Sequence, residues 1–301
     1  MPAQPEIHSA QASHTGRVRT ANEDCVGIFE PVINEGSPDN LYLVCDGMGG
    51  HQAGEIASKI IVQEVAQAYV SHLADHGPAA ALSLALQQAH EVLCERVSED
   101  ADLQTMGTTA VAAVLHQDAL YIANIGDSRA YLLRAGKLEQ ITKDHSLVTA
   151  MVDAGAITEQ EAAEHKDRSV LTRSISASRD SVEPDMFQHN FGDGDALLLC
   201  SDGLWGQVSH GQIESTVSRL PPERAVDALV NFANRAGGGD NISAIIVRRG
   251  PLQIHTDVDT QEFQLPESNP TARVPAWAIA LIMLALAGLV LFAAYWLNWL
   301  P

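Results

Sequence analysis

Cysteine is scarce, with four in 301 residues (Cys25, Cys45, Cys94 and Cys200). So few, without a CxxC spacing, exclude a disulfide framework and a zinc-ribbon site, and they point to a reducing compartment. Positive charge is also short. Lys and Arg number 18 against 38 Asp and Glu, a formal net charge of −20. Nucleic-acid binders need clustered cations against the phosphate backbone, so no nucleic-acid partner is expected. Phosphate chemistry is not excluded where metal ions supply the positive charge. Residues 1–12 lack an apolar core, so no secretory signal is expected. No internal repeat or low-complexity tract is visible.

Apolar residues, in contrast, make up 46% of the chain, enough for a sizeable core. The clearest single feature is an uncharged run of residues, 276–297. As a helix it would be about 33 Å long, and a bilayer core is about 30 Å thick. Trp277 stands at one end, and Tyr295, Trp296 and Trp299 at the other, as an aromatic belt would. The run reads as a transmembrane anchor, with a buried core helix as the alternative. Arg248, Arg249 and Arg273 precede it, so by the positive-inside rule the bulk of the chain is expected in the cytoplasm, tail-anchored to the cytoplasmic membrane. Residues 251–275 are polar and carry four prolines (251, 266, 270 and 275), which reads as a flexible linker. The compact domain is then residues 5–250.

Within that domain the hydrophobic periods are mixed. Short β-type runs occur at 41–45, 108–115, 120–125, 129–133, 196–200 and 242–247. Ile56, Ile60, Ile61, Val65 and Ala68 share one helical face, and Leu82, Ala85, Leu86, Ala89, Leu93 and Val97 share another. Pro78 suits the first turn of the second helix. Residues 147–163 read as two short helices, the first ended by Gly155 and the second opened by a capping box from Thr158 to Glu161. Helices cluster between groups of strands instead of alternating with them. That favours an α+β fold over a doubly wound parallel sheet.

Acidic residues stand at the ends of these runs. Asp46 follows 41–45 and precedes Gly47-Met48-Gly49-Gly50. Asp127 follows 121–125 and Gly126. Asp202 follows 196–200 and Ser201, with Gly203 next. Asp240 follows three glycines and precedes 242–247. Glu23-Asp24 sits just before the apolar stretch 26–29. Taken alone, each Asp-Gly pair also reads as a turn. Taken together, carboxylates at strand ends beside glycines can converge on one point above a sheet edge. Gathered acids of this kind need cations among them, and hard oxygen ligands favour Mg²⁺ or Mn²⁺ over zinc.

The chain resembles the metal-dependent PP2C (PPM) protein phosphatases, specifically the bacterial Ser/Thr enzymes, over about residues 8–248. The stretches that carry the resemblance are Gly16-Arg17-Val18-Arg19-Thr20-Ala21-Asn22-Glu23-Asp24, Val44-Cys45-Asp46-Gly47-Met48-Gly49-Gly50-His51 and Gly107-Thr108-Thr109. They continue with Ile125-Gly126-Asp127-Ser128-Arg129-Ala130, Asp144-His145-Ser146, Leu199-Cys200-Ser201-Asp202-Gly203-Leu204 and Gly239-Asp240-Asn241-Ile242-Ser243. Each alone is weak, but the full set in family order is specific. The resemblance implies a four-layer α-β-β-α sandwich of two antiparallel sheets flanked by helices.

By motif match, Asp46 would bridge two metals with help from the Gly47 carbonyl. Asp202 and Asp240 would complete one metal site. Glu23, with Asp24 beside it, would serve the other, partly through water. Asp127 would share with Asp202 a third, weaker metal found in bacterial members. Arg19 would hold the substrate phosphate. The implied chemistry is hydrolysis of phosphoserine and phosphothreonine in proteins by a metal-activated water at a binuclear Mg/Mn centre. The implied partners are a Ser/Thr kinase and its substrates at the membrane face. A phosphorylated regulator of another kind is the rival substrate, and a non-catalytic binding module of the same fold is the rival function. No nucleophilic cysteine is expected, and Cys45 and Cys200 read as small buried strand residues. Met48 stands where some members carry a histidine proposed as general acid, and His51 is only a nearby substitute. The flap, residues 147–178, departs from the family pattern at 165–169 and 175–178. His145 and His165 read as hydrogen-bonded structural groups, not ligands.

Overall fold

A computed structural model describes residues 6–34, 37–49, 52–100 and 103–251. The expected anchor (276–297) and nearly all of the linker lie outside the described residues, as does His51. Among the described residues no helix is long and apolar enough to cross a membrane.

Thirteen strands and six helices follow one another among these residues. β1 (Ile7–His14), β2 (Cys25–Asn34), β3 (Ser37–Cys45) and β4 (Gly47–Met48) lead into α1 (Gln52–Glu99). Then come β5 (Gly107–Thr108), β6 (Ala110–His116), β7 (Ala119–Ile125), β8 (Arg129–Arg134) and β9 (Lys137–Gln140). The flap holds α2 (Leu147–Asp153), α3 (Glu159–Ala163) and β10 (Ile175–Ser176). The chain continues through β11 (Asp185–Asn190), β12 (Ala196–Cys200), α4 (Asp202–Trp205), α5 (His210–Arg219), α6 (Pro222–Arg235) and β13 (Ile242–Arg249).

The strands form two five-stranded sheets, ordered β1-β13-β12-β8-β9 and β11-β7-β6-β3-β2, and a small sheet, β10-β5-β4. Every pairing among them is antiparallel. The period-2 alternation of a strand places successive side chains on opposite faces, and here both faces are buried. In β12, Ala196, Leu198 and Cys200 face a core shared with α4, α5 and α6. Leu197 and Leu199 face a core between the two large sheets. In β3, Leu41, Leu43 and Cys45 pack on the α1 side, whereas Tyr42 and Val44 join the inter-sheet core. Helix, sheet, sheet and helix therefore stack as four layers, matching the expected sandwich.

The two helices expected at 56–68 and 82–97 are the two arms of α1. They meet at Gly77, whose φ of +74° is open to glycine and strained for other residues, and Pro78 opens the second arm as expected. In the flap, Ser146 caps α2, and the Thr158–Glu161 capping box is formed. The sequence reading named no element at β1, β4, β9, β10, β11, α4, α5 or α6, and gave β2 only as a short apolar stretch, 26–29. α6 carried a legible signal: Pro222 at its start and Ala225, Val226, Leu229, Val230 and Ala233 on its buried face.

Candidate active site

The acids predicted from the motifs come together at one rim of the sandwich, where β3, β12 and β13 end or begin. Asp46 leaves β3 into a hydrogen-bonded cradle. Its N–H donates to Thr109 Oγ1 (3.0 Å), and its carbonyl accepts from Thr109 N and Thr108 Oγ1 (both 2.9 Å). This is the structural use of the Gly107-Thr108-Thr109 motif. Gly47 has no room for a side chain: a Cβ there would lie 2.3 Å from the Gly54 carbonyl oxygen and 2.4 Å from that of Glu23.

Asn241 stitches the opposite side. Its side chain donates to the carbonyls of Thr15 and Ala21 (both 2.9 Å) and accepts from Glu23 N (2.9 Å). The loop bearing Arg19 and Glu23 is thereby pinned to the start of β13, beside Asp240. Arg17 N and Val18 N also donate to the Gly238 carbonyl. Glu23 is buried, and its carbonyl accepts from Ser58 Oγ on α1 (2.6 Å). Asp24 is buried and accepts from Ser201 Oγ at Oδ2 (2.8 Å). Asp202 opens α4, and a Cβ on Gly203 would lie 1.9 Å from the Asn241 carbonyl oxygen. Arg19 donates from Nη2 to Asp240 Oδ2 (2.9 Å).

The electrostatics mark this rim. The Asp46 carboxyl is pushed well above its ordinary range by burial first, then by the charges of Asp24, Asp202, Asp127 and Asp240. Burial raises Asp24 to about 7, against hydrogen bonds from Ser243 and Ser201 and with the charges of Asp202 and Asp240 adding to the rise. Burial and the Asp202 charge raise Asp127 to about 7. Burial and then the Asp240 charge raise Asp202. Clustered acids in low dielectric disfavour each other's ionised form.

Whether such a set suits a divalent cation can be tested on its unsatisfied atoms. The buried oxygens Asp24 Oδ1 and Asp202 Oδ1 have no hydrogen-bond partner. A buried acceptor without a donor is costly, and a hard cation removes that cost. The donor set is carboxylate and carbonyl oxygen throughout, which suits Mg²⁺ or Mn²⁺. The residues present therefore fit the group, although among the described residues no three His, Cys, Asp or Glu side chains are already closed round a point that could hold an ion.

The comparisons with known proteins agree with this geometry. The family model for protein phosphatase 2C matches residues 9–149. The Listeria monocytogenes serine/threonine phosphatase Stp is 36% identical over 251 residues, covering 82% of this chain and 98% of that one. The chain belongs to the protein phosphatase 2C family. The crystal structure of the Mycobacterium tuberculosis serine/threonine phosphatase PstP superimposes with a TM-score of 0.72 at 35% identity, covering 81% of this phosphatase and 99% of that chain. A second structure, the PstP catalytic domain in complex with two manganese ions, gives a TM-score of 0.69 at 34% identity, with the same coverage.

Other residues of the phosphatase fall where expected. Cys45 and Cys200 are fully buried, and burial raises the Cys200 thiol to about 12, so neither suits nucleophilic work. His145 is structural: Nδ1 accepts from Gly126 N (3.1 Å), and Nε2 lies 3.2 Å from Asp185 Oδ2. His165 Nδ1 accepts from Asp167 N (3.1 Å). The motif reading missed the supporting roles of Thr109, Ser201, Trp205 and Asn241. Three of them stood within the quoted motifs, where a hydroxyl or amide beside a ligand position was the available signal.

Proposed function

We propose that this serine/threonine phosphatase hydrolyses phosphoserine and phosphothreonine in proteins at a binuclear Mn²⁺ or Mg²⁺ centre. Asp46 and the Gly47 carbonyl would bridge the pair. Asp202 and Asp240 would complete one ion's shell, and Glu23 with Asp24 the other's. Asp127 would share a further, weaker ion with Asp202. The observation that carries the reading is the convergence of Asp24, Asp46, Asp127, Asp202 and Asp240 at one rim, Asp24 and Asp127 buried and the other three partly exposed, each raising or feeling its neighbours' charge.

When bound, the cations supply Lewis acidity to a phosphate oxygen and to the attacking water. The chain's own residues do the rest. A bound cation would favour the ionised form of the Asp46 and Asp202 carboxyls, which burial and neighbouring charge disfavour. Arg19 offers a planar, two-pronged donor to the equatorial phosphate oxygens. Its present bond to Asp240 keeps the guanidinium at the mouth of the site, 49% exposed, where an incoming phosphate can take it over. Gly47 and Gly203 let backbone approach closely enough for the acids to share ions.

Residues 276–297 would anchor the enzyme, with the catalytic domain in the cytoplasm, and the 251–275 linker would let it reach phosphoproteins of Ser/Thr kinase signalling at the membrane. Tethering raises effective concentration without any contact between kinase and phosphatase. What supports this is the uncharged, aromatic-flanked run itself. Two tests apply. Asp46→Asn that still hydrolysed a phosphothreonine peptide with Mn²⁺ at the wild-type rate would defeat the catalytic reading. A full chain that failed to sediment with lipid vesicles would defeat the anchor.

A further inference from the structure

Asp127 and Asp202 come from different parts of the fold, the turn after β7 and the first residue of α4. Asp127 is buried and Asp202 partly so, and their like charges repel, so something must hold them together before an ion can. Trp205 lies three residues after Asp202 on the single turn of α4, and its Nε1–H donates to the Asp127 carbonyl (3.0 Å). That bond ties the element carrying one acid to the backbone of the other. Over the Trp205 ring, 3.4 Å from its centroid, lies the Arg129 guanidinium. Arg129 is two residues after Asp127 and is fixed in turn. Its Nε and Nη2 donate to the two Asp144 oxygens (2.9 and 2.7 Å), and Nη1 donates to the Tyr131 hydroxyl (3.0 Å).

We infer that Asp144, Arg129 and Trp205 form a brace that positions Asp127 and Asp202 for a shared cation. The inference rests on the ligand roles proposed above for those two acids. The brace closes a loop from Asp127 along the chain to Arg129, through the stacked ring to Trp205, and back to the Asp127 carbonyl. The guanidinium is spent on Asp144, Tyr131 and the ring, so it places positive charge near Asp127 without occupying its carboxylate. On the other acid, Asp202 Oδ1 is buried and partnerless, the atom such an ion would take. Arginine is required here because only its planar fork can bind a carboxylate in two-pronged fashion and stack on an indole at once. Trp205, Arg129 and Asp144 touch neither substrate nor ion and are positioning residues.

The test is a Mn²⁺ titration of the full-length protein, with free Mn²⁺ counted by electron paramagnetic resonance. Trp205→Phe keeps the ring and removes the N–H donor. It is expected to weaken the last, weakest Mn²⁺ step by roughly tenfold, the cost of one hydrogen bond, and to leave the tighter steps as in wild type. Arg129→Lys removes the fork and the stacked plane and is expected to weaken the same step at least as much. Thermal unfolding identifies any variant that does not fold, and the other variant then decides. Asp127→Ala separates the two layers of the argument and is expected to abolish the last step. If Asp127→Ala abolishes it while Trp205→Phe and Arg129→Lys leave it intact, the ligand roles stand and the brace is wrong. If all steps weaken in parallel in the brace variants, their role is general stability and the brace is again wrong. If Asp127→Ala changes no step, the ligand assignment falls and the brace with it.

Discussion

Two groups of aspartates, one paired and one clustered, share this molecule and live under opposite rules. Away from the rim, each acid has a partner. Asp39 is fully buried between the Tyr69 hydroxyl (2.8 Å) and the His116 ring (2.7 Å). Asp195 is gripped by the Arg134 fork and accepts from Gly192 N (2.8 Å). At the rim, Asp24, Asp46, Asp127 and Asp202 are held largely by one another's neighbourhood, and two of their oxygens have no donor at all. A paired buried carboxylate belongs to the fold. A cluster of acids with unmatched buried oxygens is what the proposed cation site would draw on, and burial and mutual repulsion raise its pKa values.

Four perturbations separate the two groups of acids. The largest effect is expected from Asp46→Asn or from chelating the metal. Either should lower hydrolysis of a phosphothreonine peptide by at least about a hundredfold, as measured by phosphate release, because each removes charge stabilisation at the reacting phosphorus. Asn at this position also relieves acid–acid repulsion, so the metal-free variant should unfold at a temperature no lower than wild type. Asp195→Ala should do the reverse. It strands the Arg134 fork and should cost about 2 kcal/mol in denaturant unfolding, below the range for a fully buried pair because Arg134 is 48% exposed, with kcat/KM unchanged.

A smaller effect follows from pH. Asp24 and Asp127 sit at about 7 in the folded chain against an ordinary value of 3.8. Between those values the folded state holds more protons than the unfolded one, so stability falls as pH rises. Melting temperatures of the metal-free protein should therefore drop from about pH 4 to pH 7, and saturating Mn²⁺ should flatten the drop. A metal-free melting temperature that climbs over that window would sink the electrostatic reading of the rim. The smallest effect is expected from Tyr69→Phe, which leaves Asp39 with the His116 ring. About 1 kcal/mol lost in unfolding, without change in peptide hydrolysis, would mark it as fold and not function.

Much of the rim was legible in the residue order because acid, glycine and strand end recur together. Asp46-Gly47 and Asp202-Gly203 carry both the proposed ligand and the backbone opening that lets a second chain segment reach it. The central strands were legible for a similar reason. Burial on both faces makes β6, β12 and β13 nearly continuous apolar runs. The edge strands were not. β1 and β11 each have one partner and half-exposed alternation, so Ile7–His14 and Asp185–Asn190 carry few apolar residues. The brace was invisible because Arg129 reads as the start of a strand and Trp205 lies one residue beyond the Leu199–Leu204 motif.

Residue order was enough to say where the acids, the caps and the apolar faces lie, because periodicity, capping and turn chemistry act within a few positions. It was not enough to say which acids would be neutralised. Asp144 meets Arg129 across 15 residues, Asp195 meets Arg134 across 61, and Asp24 meets Ser201 across 177. Whether a carboxylate finds a guanidinium, a hydroxyl or only other carboxylates depends on which strand ends the sheets bring to one edge. That juxtaposition is long-range packing, and no local stretch of the chain encodes it.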